Sequence, residues 1–345
     1  MGLHQQSYGI GIVGCGTISG THAEAVKNLD HATLIAAYSR SQERADAFCK
    51  RYGGTGFSDY EAFLSHPGLD IVVICTPTGT HLNYGEQAAR AGKHLIVEKP
   101  IEVTRERGRM LIESCRQNNV QLAVIYQNRF IEGVIRMKQA IDSGKLGKLF
   151  MADASVKWFR DQDYYDKGGW RGTLALDGGG AVINQAIHTL DLMIWLCGEP
   201  ESLHAFTGTF THDGIEGEDN AVATLRFKNG AIGLFSASTS VVPPQDRKIE
   251  IHGTRGTAVL AGHMFRLETE ETNPPGMSAG KGAGSSSPLA GMTAANHTRQ
   301  YRQILNAFRE HREPVVSGEE SLKSLAVVEA LYASAKTQKV VYIDE

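Results

Sequence analysis

Several absences narrow what this 345-residue chain does. Its five cysteines, Cys15, Cys49, Cys75, Cys115 and Cys197, include no CxxC pair and are odd in number. A disulfide framework and a cysteine zinc knuckle are therefore not indicated, and reduced, mostly buried thiols are expected. No run reaches the ~18 apolar residues of a membrane helix, and the first seven residues lack the apolar core of a secretory signal. Gly2 fits a myristoylation motif, but Gln6 stands where that motif needs Ser or Thr. A formal net charge of -3 leaves no basic excess for phosphate backbones or anionic lipid, so neither nucleic acid nor membrane is an expected partner. There is no HExxH and no clustered Cys or His around His188 and Asp191, so no metal is expected. No GxSxG marks a serine nucleophile. With 41% hydrophobic and 21% charged residues, the chain is expected to form two packed domains of a cytoplasmic enzyme or binding protein.

The first third has the periodicity of a nucleotide-binding domain. The β-rich run Gly9 to Val13 ends directly in Gly14-Cys15-Gly16-Thr17-Ile18-Ser19-Gly20, and helical character follows from His22 to Leu29. Strand, glycine turn and helix in this order are what a dinucleotide fingerprint requires. Gly14 permits the tight turn, and Gly16 admits a pyrophosphate to the free N–H groups of the helix, beside Thr17 and Ile18. Ser19 is a small residue in the third glycine slot. The second strand, Thr33 to Tyr38, ends in Ser39-Arg40-Ser41 with no carboxylate for ribose hydroxyls. A hydroxyl and a guanidinium suit the 2′-phosphate of NADP, which is favoured here, with NAD left open.

Asp70 to Cys75 is a continuous apolar strand, as in a parallel sheet covered on both faces. It runs into Thr76-Pro77, Thr80 and His81, a helix to about Gly92, and the strand His94 to Val97 that delivers Glu98-Lys99-Pro100. Ligands bind beyond the carboxyl ends of such strands, which places Thr76, Pro77, His81 and Lys99 at the crevice. A helix from Arg105 to Asn118 and a strand from Gln121 to Tyr126 complete this domain near Gln127-Asn128-Arg129.

From about Phe150 the pattern changes to short strands joined by glycine turns, at 203–210, 221–227, 231–238, 248–252 and 257–260, which reads as an antiparallel meander. Residues 270–291, rich in Gly, Ser and Pro, read as a surface loop or a lid. Helices are expected over 297–311 and 317–335, and a last strand over 340–343. Between the halves lies Gly178-Gly179-Gly180, followed by Asn184, His188 and Asp191. Asn184 and His188 stand one helical turn apart.

In the order and spacing of its glycine turn, Thr76-Pro77, Glu98-Lys99-Pro100, Asn128-Arg129 and the GGG-x3-N-x3-H-x2-D stretch, the chain resembles the Gfo/Idh/MocA oxidoreductases over nearly its whole length. The resemblance implies an α/β protein: an N-terminal Rossmann domain with a doubly wound parallel sheet (1–127), then an α+β domain with a large open, mostly antiparallel sheet (128–345) used for dimer or tetramer contacts. It implies sugars, cyclitols and their derivatives as substrates. It also implies a dinucleotide bound by Gly14, Gly16, Thr17, Ile18, Ser39, Arg40, Thr76, Pro77, His81, Glu98, Lys99 and Asn128. Lys99 would hydrogen-bond the reacting oxygen and His188 would move its proton, which agrees with the near-neutral titration of imidazole and the charge of an ammonium. Asn184 departs from the commoner Asp, so it orients the imidazole without supplying charge.

The aromatic and charged stretch Lys157 to Arg171 suits sugar rings and hydroxyls. Tyr165, Trp170, Arg171 and Arg129 are the expected substrate contacts, with His297 a further candidate. Arg129, Arg160 and Arg171 equally suit an acidic substituent. Two other functions fit the same fold: a dinucleotide-sensing regulator, against which the retention of Lys99 and His188 argues, and a glycoside-cleaving enzyme with a retained cofactor, which needs a further acid/base.

Overall fold

A computed structural model describes residues 7–262, 264–269 and 294–343. The expected loop at 270–291 lies outside the described residues, as does the Gly2 motif. The described residues divide into two compact units: those up to Gln127 with those from 294 to Leu322, and those from Asn128 to 269 with those from Lys323 on.

The first unit alternates strand and helix: β1 (Tyr8–Val13), α1 (Thr17–Lys27), β2 (Ala32–Tyr38), α2 (Gln42–Tyr52), β3 (Thr55–Phe57), α3 (Tyr60–Leu64), β4 (Leu69–Ile74), α4 (His81–Arg90), β5 (His94–Val97), α5 (Arg105–Gln117) and β6 (Leu122–Val124). The strands form one parallel sheet in the order β3-β2-β1-β4-β5-β6. Its central strands are buried on both faces, with Ile10, Ile12, Ile71, Val73 and Ile96 inaccessible, which is why they read as unbroken apolar runs. Strand order reverses between β1 and β4, so their carboxyl ends diverge and open a crevice. Helices α2, α3 and α5 are capped by Ser41, Asp59 and Thr104. Helix α1 has Gly16 at its N-cap and no side-chain cap. It begins at Thr17, earlier than the sequence pattern indicated, because the helix starts within the glycine turn itself.

The second unit begins with α6 (Glu132–Asp142), β7 (Leu149–Lys157) and α7 (Gln162–Asp166). A π-helical turn, Ala181–Ala186, leads into α8 (Ile187–Cys197). There follow β8 (Pro200–Gly208), β9 (Asn220–Phe227), β10 (Ile232–Ser238), β11 (Lys248–Gly253), β12 (Gly256–Ala261) and β13 (Met264–Thr269). After α9 (Ala294–Arg309) and α10 (Gly318–Thr337) comes β14 (Val341–Tyr342). The eight-stranded sheet has the order β13-β12-β11-β7-β10-β9-β8-β14 and is antiparallel except for the β7–β10 pair. It is not a simple meander, because β7 lies between β11 and β10. The sequence pattern missed β7 because its inward residues, Ala152, Ala154 and Val156, are small and give a weak apolar alternation. It also missed α2, β3, α3, α6, α7 and β13.

Helix α9 completes the first unit. It packs on α1, and Tyr301, Ile304, Leu305 and Phe308 join the core that contains Ile10, Val26 and Ile71. Just after α9, Ser317 bridges Ala123 at the β6 edge. This unit thus draws on two separate stretches of sequence, where a contiguous one was expected.

Candidate active site

The first unit holds its site residues at the carboxyl ends of four strands. Beyond β1, Gly14 has φ +95°, and a Cβ there would lie 2.9 Å from the Cys75 carbonyl oxygen, so glycine is required. A Cβ on Gly16 would meet nothing within 4 Å. The space over the α1 N-terminus is open, its amides have no side-chain cap, and Thr17 is exposed beside half-buried Ile18. An anionic pyrophosphate fits this cradle. Buried Ser19 turns its hydroxyl back to donate to the Gly16 carbonyl at 2.5 Å, which ties the turn to the helix. At the tip of β2, Ser39 is half-buried, while Arg40 is exposed and makes no hydrogen bond or ion pair among the described residues.

Beyond β4, Thr76 and Pro77 are half-buried, and the Thr80 hydroxyl donates to the Pro77 carbonyl at 2.6 Å and lies 2.8 Å from Thr76 Oγ1. His81, expected at the cofactor, is buried. Its Nε2 lies 2.9 Å from the Thr76 carbonyl and its Nδ1 3.1 Å from that of Pro100, so the ring joins the loops after β4 and β5.

Beyond β5, Lys99 is half-exposed and Glu98 is buried. Glu98 Oε1 lies 2.8 Å from His22 Nε2, and its Oε2 accepts the Lys99 amide at 3.1 Å. The other nitrogen of His22, Nδ1, is 2.7 Å from the Tyr301 hydroxyl. Burial disfavours charge on Glu98, but the His22 hydrogen bond and the nearby His22, Lys99 and His297 outweigh it and lower its pKa to about 2. His297 is driven down to about 4 by burial and by His22, so it is neutral at pH 7. Among the described residues, His22, Glu98 and His297 form a group whose possible metal ligands lie within 4.8 Å of one another. His22 and Glu98 already hydrogen-bond to each other, which makes the cluster a hydrogen-bonded network before it is a metal centre.

In the second unit the glycine run is dictated by close backbone packing. A Cβ on Gly180 would fall 1.8 Å from the Glu218 carbonyl oxygen. The Glu218 carboxylate accepts the amides of Val182 at 2.7 Å and Gly180 at 3.2 Å, and the Tyr332 hydroxyl at 3.2 Å. It therefore caps the π-helical turn, although burial raises its pKa to about 7. Asn184 lies in that turn and His188 in the first turn of α8; with Gln185 they are the half-exposed residues between 181 and 190. The π-turn replaces the regular α-helical spacing expected between Asn184 and His188. Asn184 Nδ2 donates to Asp177 at 2.6 Å, and its Oδ1 accepts from the Tyr164 hydroxyl at 3.0 Å.

Other expected substrate contacts fall in different places. Arg129 is buried and pairs through Nε and Nη2 with Asp191, at 2.8 and 2.6 Å, so its guanidinium faces an internal carboxylate. Tyr165 is buried, with its hydroxyl on Thr239 at 2.9 Å. Its neighbour Tyr164 faces Asn184 instead. Arg171 lies over the rings of Tyr164 (4.5 Å) and Trp170 (5.1 Å) and donates to the Tyr164 and Lys167 carbonyls. Arg160 also lies over Tyr164 and donates to Gln185 Oε1 at 2.6 Å. Trp170 and Asn128 are half-buried. The sequence reading missed His22, Tyr164, Asp177, Gln185, Glu218 and Tyr301. Only Asp177, directly before the glycine run, and Tyr164, within the aromatic stretch, carried a local signal.

Residues 8–126 match an oxidoreductase family with an NAD-binding Rossmann fold, and residues 134–259 match the GFO/IDH/MocA C-terminal domain. The chain belongs to the Gfo/Idh/MocA family. It is 28% identical to the inositol 2-dehydrogenase of Rhizobium meliloti over 96% of this chain and 98% of that one. It is 29% identical to the D-apiose dehydrogenase of Paraburkholderia graminis, over 96% and 88%. The crystal structure of the WlbA dehydrogenase from Bordetella pertussis in complex with NADH and UDP-GlcNAcA superposes with a TM-score of 0.87 and 32% identity, over 99% of this chain and 100% of that one. This Gfo/Idh/MocA enzyme is accordingly an oxidoreductase with an NAD-binding Rossmann fold. Among its described residues no helix is long and apolar enough to cross a membrane.

Proposed function

We propose that the enzyme is an NAD(P)-dependent dehydrogenase acting on a secondary alcohol, ketone or lactol of a sugar, cyclitol or sugar derivative. The observation that carries this reading is a half-exposed lysine, Lys99, at the carboxyl end of β5, on the same sheet edge as the open N-terminus of α1. A bound nicotinamide supplies the hydride acceptor or donor. The chain's own residues handle the oxygen: Lys99 hydrogen-bonds it and stabilises its developing charge, and His188 takes or returns its proton. Asn184, fixed by Asp177 and Tyr164, orients this region without a charge of its own. The dinucleotide is held at Gly14, Gly16, Thr17, Ile18, Thr76 and Pro77, and the carboxylate-free tip at Ser39 and Arg40 favours NADP over NAD.

The substrate class follows from the cations around Tyr164. Arg160 and Arg171 both lie over its ring, which supports a sugar with an anionic substituent. The UDP-GlcNAcA bound by the WlbA dehydrogenase is a sugar derivative of that kind. The outward face of the eight-stranded sheet supports a homodimer or homotetramer.

The test is absorbance at 340 nm with NAD⁺ or NADP⁺ and a panel of aldoses, inositols, uronates and UDP-sugars. K99A and H188A should each lower kcat/KM on the order of 10²- to 10⁴-fold. Tight dinucleotide binding with no turnover across the panel would overturn the dehydrogenase reading.

A further inference from the structure

Behind Lys99 the first unit buries a polar chain. It draws on three separate elements. His22 comes from α1, Glu98 from the end of β5, and Tyr301 from α9, and all three are buried. The links run Tyr301 Oη to His22 Nδ1 (2.7 Å), His22 Nε2 to Glu98 Oε1 (2.8 Å) and Lys99 N to Glu98 Oε2 (3.1 Å). A carboxylate only accepts, so His22 Nε2 is the donor to Glu98, while its Nδ1 meets the Tyr301 hydroxyl. Both oxygens of Glu98 are therefore engaged, one by α1 and one by the peptide that carries the lysine.

We propose that His22 and Tyr301 are positioning residues for Lys99, acting through Glu98, and that Glu98 sets the proton affinity of the lysine amine by its charge. The proposal rests on the reading of Lys99 as the group on the substrate oxygen. A network needed for stability alone would not have to end on the lysine's own amide. The groups that face Glu98 are His22 from α1, Cys75 from the end of β4, Tyr301 and His297 from α9, and Lys99 itself. His297 packs edge-on against His22, with ring centroids 5.2 Å apart, and neither of its nitrogens has a hydrogen-bond partner among the described residues. It adds a ring to the cluster and no charge. Glu98 is the one carboxylate among these groups. After the His22 hydrogen bond and charge, Lys99 is among the groups that lower Glu98, and charge coupling is reciprocal, so removing the Glu98 charge should make the lysine easier to deprotonate.

The experiment uses the full chain as wild type and as E98Q, Y301F, H22Q, H22A and K99A. The first readout needs no substrate: acetylation of Lys99 by acetic anhydride as a function of pH, quantified by mass spectrometry. In E98Q the midpoint should fall by about one pH unit, since an adjacent opposite charge shifts a pKa by about that much. The second readout is kcat, KM and the pH profile of kcat/KM with the best substrate. Y301F and H22A should lower kcat about tenfold with dinucleotide affinity within threefold of wild type. H22Q, whose amide still reaches Glu98, should recover part of that loss. An unmoved acetylation midpoint in E98Q, or kcat losses that follow the thermal midpoint across the set, would overturn the proposal. Undiminished turnover in K99A would overturn the reading of the lysine beneath it, a result separable from the acetylation midpoint.

Discussion

Arg40 stands exposed at the tip of β2, where an acidic side chain would repel a 2′-phosphate and hydrogen-bond ribose hydroxyls. R40A should raise KM for NADP⁺ at least about tenfold and leave that for NAD⁺ within about twofold, as expected for one lost charge-assisted contact. Equal effects on both would remove the guanidinium from cofactor choice. His297 makes a prediction in a different observable. Its pKa is about 4 in the folded chain against an ordinary 6.5, so it contributes stability that is present above pH 6.5 and lost as pH falls towards 4. Glu98, depressed to about 2, adds a loss of the same sign below its ordinary 4.5. H297F should therefore flatten the fall in thermal midpoint between pH 6.5 and 4, while the steeper fall below 4.5 remains. An unchanged profile in H297F would mean that another group drives acid unfolding. At this scale the sequence showed which side chains were present, but not which were already engaged. Arg129 and Arg171 look alike as letters, yet one is paired with Asp191 across 62 residues and the other lies over Tyr164 and Trp170.

The elements were legible where local chemistry alone specifies them. Strand β1, the glycine turn and α1 declare themselves within twenty residues, and β4 and β5 are apolar because both faces of a parallel sheet are covered. Strand β7 was hidden because small inward residues carry little hydrophobic signal. The π-helical turn was hidden because its cause is distant. Glu218, beyond β8, receives the amides of Gly180 and Val182 and shapes the turn that carries Asn184. Burial lifts Glu218 to about 7 from an ordinary 4.5, so its contribution to stability is full below pH 4.5 and lost as pH rises through 7. E218Q should remove that alkaline loss, so that its thermal midpoint changes less than the wild type's between pH 5 and 8. The amide's N–H group also faces backbone donors, which should misplace Asn184 and lower kcat/KM severalfold at every pH. Wild-type kinetics in E218Q would separate the turn's shape from Asn184's task.

At the scale of the whole molecule, one face of the second unit's sheet is exposed among the described residues. Its inner face buries Ala223, Leu225, Phe235, Ile249 and Ile251, while Phe206, Val222, Ile232 and Leu234 are each between 45% and 57% exposed on the other. In the register Phe206 lies opposite Val222, Thr224 lies between His204 and Leu234, and Arg226 lies opposite Ile232. Four exposed apolar side chains spread over three adjacent strands, with polar ones among them, have the composition of an interface core with its rim. A second copy of the same sheet meeting it about a two-fold axis would present these side chains to themselves, which is the commonest way for identical subunits to close. The double substitution I232E/L234E places like charges at the centre of that contact and leaves the inner face untouched. It should convert the enzyme from dimer or tetramer to monomer by light scattering at micromolar concentration. Dinucleotide affinity should stay within about threefold of wild type, because the proposed glycine cradle belongs to the first unit and neither substitution touches it. A wild-type chain that is monomeric at every concentration would refute the interface, and a variant that stays oligomeric would move it to another surface.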